Sequence, residues 1–214
     1  MRSSEPIPGE QWPHDMMLTI EDRPTALLEL LWIREAYGLA PRGDDLPPVL
    51  SDSPAAVHDD TVGTDARAAW AEAWPRLWQQ TAAHAGGEKD PRIFEELHST
   101  ADGSAERADL LRRLIGPSWR DDVGGAALDS PAYRAWSESG AAAHATALPT
   151  RLEDSPERRD LATLIPAWRA GLTIIITIPC VGEFTRRIGP NALLVTSATR
   201  ADSAAYRRAL GTFG

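Results

Sequence analysis

The feature that most constrains this chain is the run Leu172-Thr173-Ile174-Ile175-Ile176-Thr177-Ile178, β-branched at every position after Leu172. β-branched side chains favour a strand, and the lack of apolar–polar alternation predicts burial on both faces. Pro179 ends it. The run is too short to span a bilayer. Downstream, Gly189-Pro190-Asn191 is a turn sequence between Glu183–Ile188 and Ala192–Thr196, which predicts an antiparallel hairpin. The region Leu172–Ser197 is therefore expected to form a small antiparallel sheet, with Met16–Ile20 as a candidate fourth strand.

Between the candidate strand at Met16–Ile20 and this region, most segments have a helical period. The spacing predicts a helix from Thr25 to Tyr37, entered through Pro24 and closed by Gly38. A second runs from Thr64 or Asp65 to Ala85, with Trp70, Trp74 and Trp78 four residues apart and so on one stripe. Pro75 within it predicts a kink, or a true start after Trp74. Asp90-Pro91, Ser104, Ser130-Pro131, Ser155-Pro156 and Asp202 start further helices. The expected fold is α+β and predominantly α-helical, with about six or seven helices packed on the sheet. Residues 1–15 read as a flexible tail. Residues 16–214 read as a single globular domain, with a Pro/Asp/Ser-rich connection at 41–63 and the likeliest internal break between Arg120 and Leu128.

Composition narrows the function classes. The net charge is −9 and no block of basic residues stands against it, so nucleic acid is not an expected partner. Lys89 is the only lysine in an alanine- and arginine-rich chain, the bias of a high-GC bacterial genome. Cys180 is the single cysteine, which excludes an internal disulfide and a Cys-based zinc site. The first residues carry no apolar leader, and the expectation is a cytoplasmic protein without a membrane segment.

No phosphate loop, dinucleotide fingerprint, zinc helix or nucleophile elbow occurs, and no cofactor is expected. The five histidines are scattered singly. His58-Asp59-Asp60 has ligand types suited to a divalent metal, but an acidic solvated loop has the same composition, and no metal site is expected. The segment Pro179–Arg187 is the one candidate for chemistry. Cys180, just past a buried strand, is a weak candidate nucleophile, or a small buried hydrophobe. Strand alternation puts Glu183, Thr185 and Arg187 on one face and Phe184, Arg186 and Ile188 on the other.

Two functional readings follow. In the first, the tryptophan excess and acidic surface belong to a non-enzymatic interaction or adaptor protein that binds a protein partner or a second copy of itself. In the alternative, the chain is a small-molecule-binding protein or an enzyme. Its pocket would lie between the C-terminal sheet and the helices, with Cys180 and Glu183 as candidate catalytic groups and Arg186, Arg187, Trp74 and Trp78 binding the ligand.

Overall fold

A computed structural model describes residues 11–57, 62–88 and 90–213. The sheet has four strands, β1 (Thr19–Asp22), β2 (Ile174–Ile178), β3 (Thr185–Ile188) and β4 (Ala192–Thr196), in the order β1-β2-β4-β3. The β3–β4 hairpin is antiparallel as expected, but β1 with β2 and β2 with β4 are parallel. The sheet is thus mixed rather than antiparallel. The reason lies in burial: β4 is buried at all its positions and takes the centre beside β2, while polar β3, with Thr185, Arg186 and Arg187, takes the edge. β3 runs opposite to β2 and the hairpin reverses the chain once more, so β4 inserts beside β2 running the same way.

β1 begins three residues later than the apolar run predicts. Met16 instead turns into the core, and the ladder is made by Thr19-Ile20-Glu21-Asp22. An edge strand can afford such polarity.

The described residues are 54% helical and carry ten α-helices. α1 (Thr25–Ala36) and α2 (Thr64–Ala85) cover one face of the sheet, where Ile176, Ile178, Ala192 and Leu194 meet Leu27, Leu31, Trp74 and Trp78. α2 runs unbroken through Pro75, so the start after Trp74 is not used. α3 (Arg92–Ser99) and α4 (Ala105–Ile115) form a hairpin with its own small core of Ile93, Leu97 and Leu110. α5 (Trp119–Asp122) lies in the stretch expected to be a break, and is held by a capping box in which the Ser118 N–H donates to Asp121 Oδ2 at 3.2 Å, with the Ser118 hydroxyl donating to the same oxygen at 2.6 Å. α6 (Pro131–Ala147) follows, then α7 (Pro156–Arg159) and α8 (Leu161–Arg169), which divide at Asp160 what the sequence presents as one helix. α9 (Ser197–Ala201) and α10 (Ser203–Leu210) close the chain. The short α5, α7 and α9 account for the helices beyond the expected six or seven.

The second face of the sheet, with Ile175, Leu193 and Val195, packs on Leu164, Ala167, Tyr206, Leu210 and Phe213 from α8, α10 and the final turn. Coverage on both faces explains the apolar run of β2 without alternation.

Candidate functional site

β1, β2 and β4 are parallel, so Asp22, Ile178 and Thr196 end at one edge of the sheet. In open sheets of this kind the carboxyl ends of the strands are where ligands bind. The chain leaves β1 through Arg23, whose φ of 62° is in the left-handed region. A residue preceding proline is normally extended, so a left-handed Arg before Pro24 stores strain, a pointer to function. Its N–H donates to the Thr177 carbonyl at 3.4 Å, tying the bend to β2.

α6 lies against this edge. None of its residues is fully buried, and its inner stripe is Tyr133, Trp136, Ser137, Gly140 and His144, at helical spacing. The Arg23 guanidinium donates to the Ser137 carbonyl at 3.4 Å. A Cβ on Gly140 would come within 2.8 Å of the same guanidinium, so a larger residue there would push the Arg23 side chain aside. His144 Nε2 stands 4.0 Å from Asp22 Oδ2.

Two charged clusters lie on neighbouring elements. On the α8–α10 face, Arg200 of α9 grips both oxygens of Glu157 at 2.8 and 2.9 Å and Asp22 at 2.9 Å, while the Tyr206 hydroxyl donates to Glu157 at 2.9 Å. Burial alone would depress Arg200, but Glu157 and Asp22 hold its pKa above the ordinary arginine value. Thr177, the register partner of Asp22, is 5% exposed, and its hydroxyl has no partner among the described residues.

On the α1 face stands Glu29, 7% exposed. Arg120 Nε approaches it at 3.4 Å but commits Nη1 to Asp129 at 2.7 Å. Burial outweighs Arg120 and pushes the Glu29 carboxyl above its usual range. Burial, then Glu29, pushes the neighbouring Tyr133 phenol up to about 12, and its ring meets Trp32 edge-on at 5.2 Å.

Arg23 differs from these neighbours. Among the described residues it makes no ion pair, and burial holds its guanidinium below the ordinary arginine value, with Tyr133 opposing. It is a partly desolvated cation without a counter-ion.

The residues singled out by sequence lie elsewhere and apart. Cys180 is 1% exposed, bridged to Leu50, and burial pushes its thiol up to about 12, which removes the thiolate a nucleophile needs. Glu183 is on the surface, paired with Arg208 at 2.7 Å. Arg187 lies over the Phe213 ring at 4.3 Å, whereas Arg186, on the opposite face, reaches the Asp45 carbonyl at 3.4 Å. Trp74 and Trp78 are buried and stacked at 5.3 Å. No shared pocket gathers these six. His58-Asp59-Asp60 lies outside the described residues. Among those described, no group of three His, Cys, Asp or Glu is placed to hold a metal ion, and no helix is long and apolar enough to cross a membrane.

Among the described residues, two concave spaces lie away from the strand ends. An open groove of about 920 Å³ lies between the end of α2 and the α3–α4 hairpin, lined among others by His84, Ile93, Arg112 and Arg113. A hollow of about 510 Å³ adjoins Arg34 and Glu35, whose polar atoms are spent on the Pro47 and Pro48 carbonyls, the Leu50 N–H and Ser53.

Asp22, Arg23, Glu29, Tyr133, His144, Glu157 and Arg200 escaped sequence reasoning. One signal was present: beyond Tyr133 and Trp136 the stripe continues as Ser137, Gly140 and His144, small or polar where a packing helix would carry Leu or Ile. Compared with protein-family models, with curated proteins and with solved structures, the chain matches none.

Proposed function

We propose that the protein binds a small molecule at the carboxyl ends of its parallel strands, and that an anionic group of the ligand, a carboxylate or phosphate, seats on Arg23. The observation that carries this reading is the uncompensated Arg23 guanidinium, held in a left-handed conformation at a strand end. Desolvating a cation without a partner is unfavourable, and a bidentate anion relieves it. The surrounding charges are already matched: Arg200 with Glu157 and Asp22, Arg120 with Asp129.

The test is thermal unfolding in a panel of millimolar carboxylates and phosphates, with Arg23→Gln in parallel. A ligand at one hundred times its Kd stabilises by about 2.7 kcal/mol, a rise in Tm of roughly 5–10 °C for a chain of this size. The rise should vanish in the variant. A rise of equal size in Arg23→Gln, or none from any compound, sinks the proposal.

The adaptor reading drew in part on the tryptophans, and of the eight, Trp32, Trp74, Trp78 and Trp119 are fully buried, where packing accounts for them. What now favours it is the α3–α4 hairpin, which leaves Phe94, Leu111 and Ile115 between 37% and 59% exposed. If this face docks a second copy, sedimentation velocity should show association that Phe94→Ser with Ile115→Ser abolishes. A strict monomer at high concentration speaks against it.

A further inference from the structure

We propose that the free edge of β3 docks an extended acidic segment of another protein, which adds to the sheet as a further strand and sets two consecutive carboxylates opposite Arg186 and Arg187. The proposal is independent of the Arg23 reading.

The backbone supplies the first half of the argument. In an antiparallel pair, opposed residues alternate between those that exchange hydrogen bonds and those that do not. The Thr196 N–H donates to the Phe184 carbonyl at 3.2 Å, which fixes the phase. With Arg186 opposite Leu194 and Ile188 opposite Ala192, these alternate residues turn their N–H and C=O groups toward β4. Thr185 and Arg187, opposite Val195 and Leu193, therefore turn theirs away from the sheet. β3 ends the strand order, both residues are exposed, and no described residue bonds those backbone groups. Such an edge is a template for another strand, in which main-chain hydrogen bonds give affinity and side chains give selectivity.

The side chains supply the second half. Arg187 lies over the Phe213 ring at 4.3 Å and donates to the Pro190 carbonyl at 3.1 Å. Arg186, on the other face, donates to the Asp45 carbonyl at 3.4 Å. Each is laid back against its own face, so the edge between them is clear and a positive charge stands on both sides of it. Among the described residues neither guanidinium has a carboxylate partner, in a chain whose net charge is −9. Cross-strand neighbours of opposite charge stabilise pairing, and a carboxylate is the bidentate match of a guanidinium. Successive residues of a strand face opposite sides, so one carboxylate for each arginine means two acidic residues in a row. Glu183, just before the strand and paired with Arg208 at 2.7 Å, limits the pattern, since a further acid reaching it would meet a carboxylate.

A second copy of this chain is the poorer occupant. Its β3 would bring the same arginines, and charged edges guard against that pairing. Its acidic strand, β1, has Asp22 already held by Arg200 at 2.9 Å.

The experiment is fluorescence anisotropy of the full chain with a labelled, end-blocked peptide of alternating Thr and Val around a central Glu-Glu pair. One control carries Gln-Gln at the centre. Two more are N-methylated on alternate residues, one along each edge of the peptide. The Glu-Glu peptide should bind at least about tenfold more tightly than the Gln-Gln control. One N-methylated copy should lose binding by a similar factor and the other keep it. Arg186→Gln and Arg187→Gln together should weaken binding by about tenfold or more. Thr185→Pro, which removes an outward N–H at an edge position where proline is tolerated, should abolish it. Hydrogen exchange should slow at the Thr185 and Arg187 amides when the peptide is added.

Equal binding of the Gln-Gln peptide overturns the acidic partner. Equal binding of both N-methylated copies overturns strand addition and leaves charge attraction alone. Self-association in sedimentation velocity that Thr185→Pro abolishes gives the edge to a second copy and overturns the proposal, as does silence from the Glu-Glu peptide at millimolar concentration. Circular dichroism and Tm of each variant separate loss of binding from loss of fold.

Discussion

Arg200→Ala is expected to lower the stability of the fold by about 3–5 kcal/mol, the cost of breaking a buried ion pair from one side. Arg200 is 16% exposed, and it holds Glu157, which is 7% exposed, through two hydrogen bonds and Asp22 through a third. Its removal strands two carboxylates, one of them almost dry, and leaves the Tyr206 hydroxyl bonded to an unneutralised anion. The connection is also topological. Asp22 ends β1, Glu157 belongs to α7 and Arg200 follows β4, so one guanidinium ties three distant stretches of chain. Urea unfolding should show a lower midpoint with an unchanged slope. Adding Glu157→Gln to Arg200→Ala should recover part of the loss, because the stranded charge is then gone. A loss below about 1 kcal/mol would show the network to be no stronger than a surface ion pair.

Trp74→Ala should cost a similar amount, about 3–5 kcal/mol, for a different reason. The indole is fully buried, lies parallel to Trp78 at 5.3 Å and donates its N–H to the Leu30 carbonyl at 2.7 Å. Truncation opens a cavity between α1 and α2 and also removes the ring over which Arg34 sits, 5.3 Å from its centroid. Since Arg34 holds the loop at the Pro47 and Pro48 carbonyls, limited proteolysis should then cut more readily between Gly38 and Val57. Trp74→Phe keeps the stack and loses the N–H, and should cost about 1 kcal/mol more than a neutral change. Equal stabilities for Trp74→Ala and Trp74→Phe would contradict this packing account.

Much of the fold is legible in the sequence wherever the signal is local. The helix starts at Ser104, Ser130, Ser155 and Asp202 are real caps, each side chain accepting a backbone N–H three residues on. The β3–β4 hairpin follows from its turn. The parallel pairing of β1 with β2 is not local, since all the helices from α1 to α8 intervene, and no periodicity specifies which strand inserts beside which. β1 itself was displaced in the expectation because apolarity locates buried strands, and this one is an edge.

The site was less legible for the same reason. Pro179–Arg187 drew attention because its polar groups are contiguous. In a strand, contiguity sends them to opposite faces, and Arg186 and Arg187 duly part. The charged groups that do meet pair positions 22, 144, 157 and 200, and separately 29 with 120, and nothing short of the tertiary fold assembles them. Cys180 shows the converse: its place after a strand reads as exposure, but the strand-like bridge to Leu50 covers it.

The shallow seat of α6 has a kinetic meaning. A seventeen-residue helix with no fully buried residue, held by Tyr133, Trp136, Gly140 and His144, gives up little apolar area on leaving the body. Its local detachment is therefore expected to require less free energy than global unfolding, which amide hydrogen exchange along the helix would measure. For a molecule that reaches Arg23 only when the helix is off, the observed affinity is the intrinsic one scaled by the detached fraction. Substitutions along the stripe would then tune binding without touching the ligand.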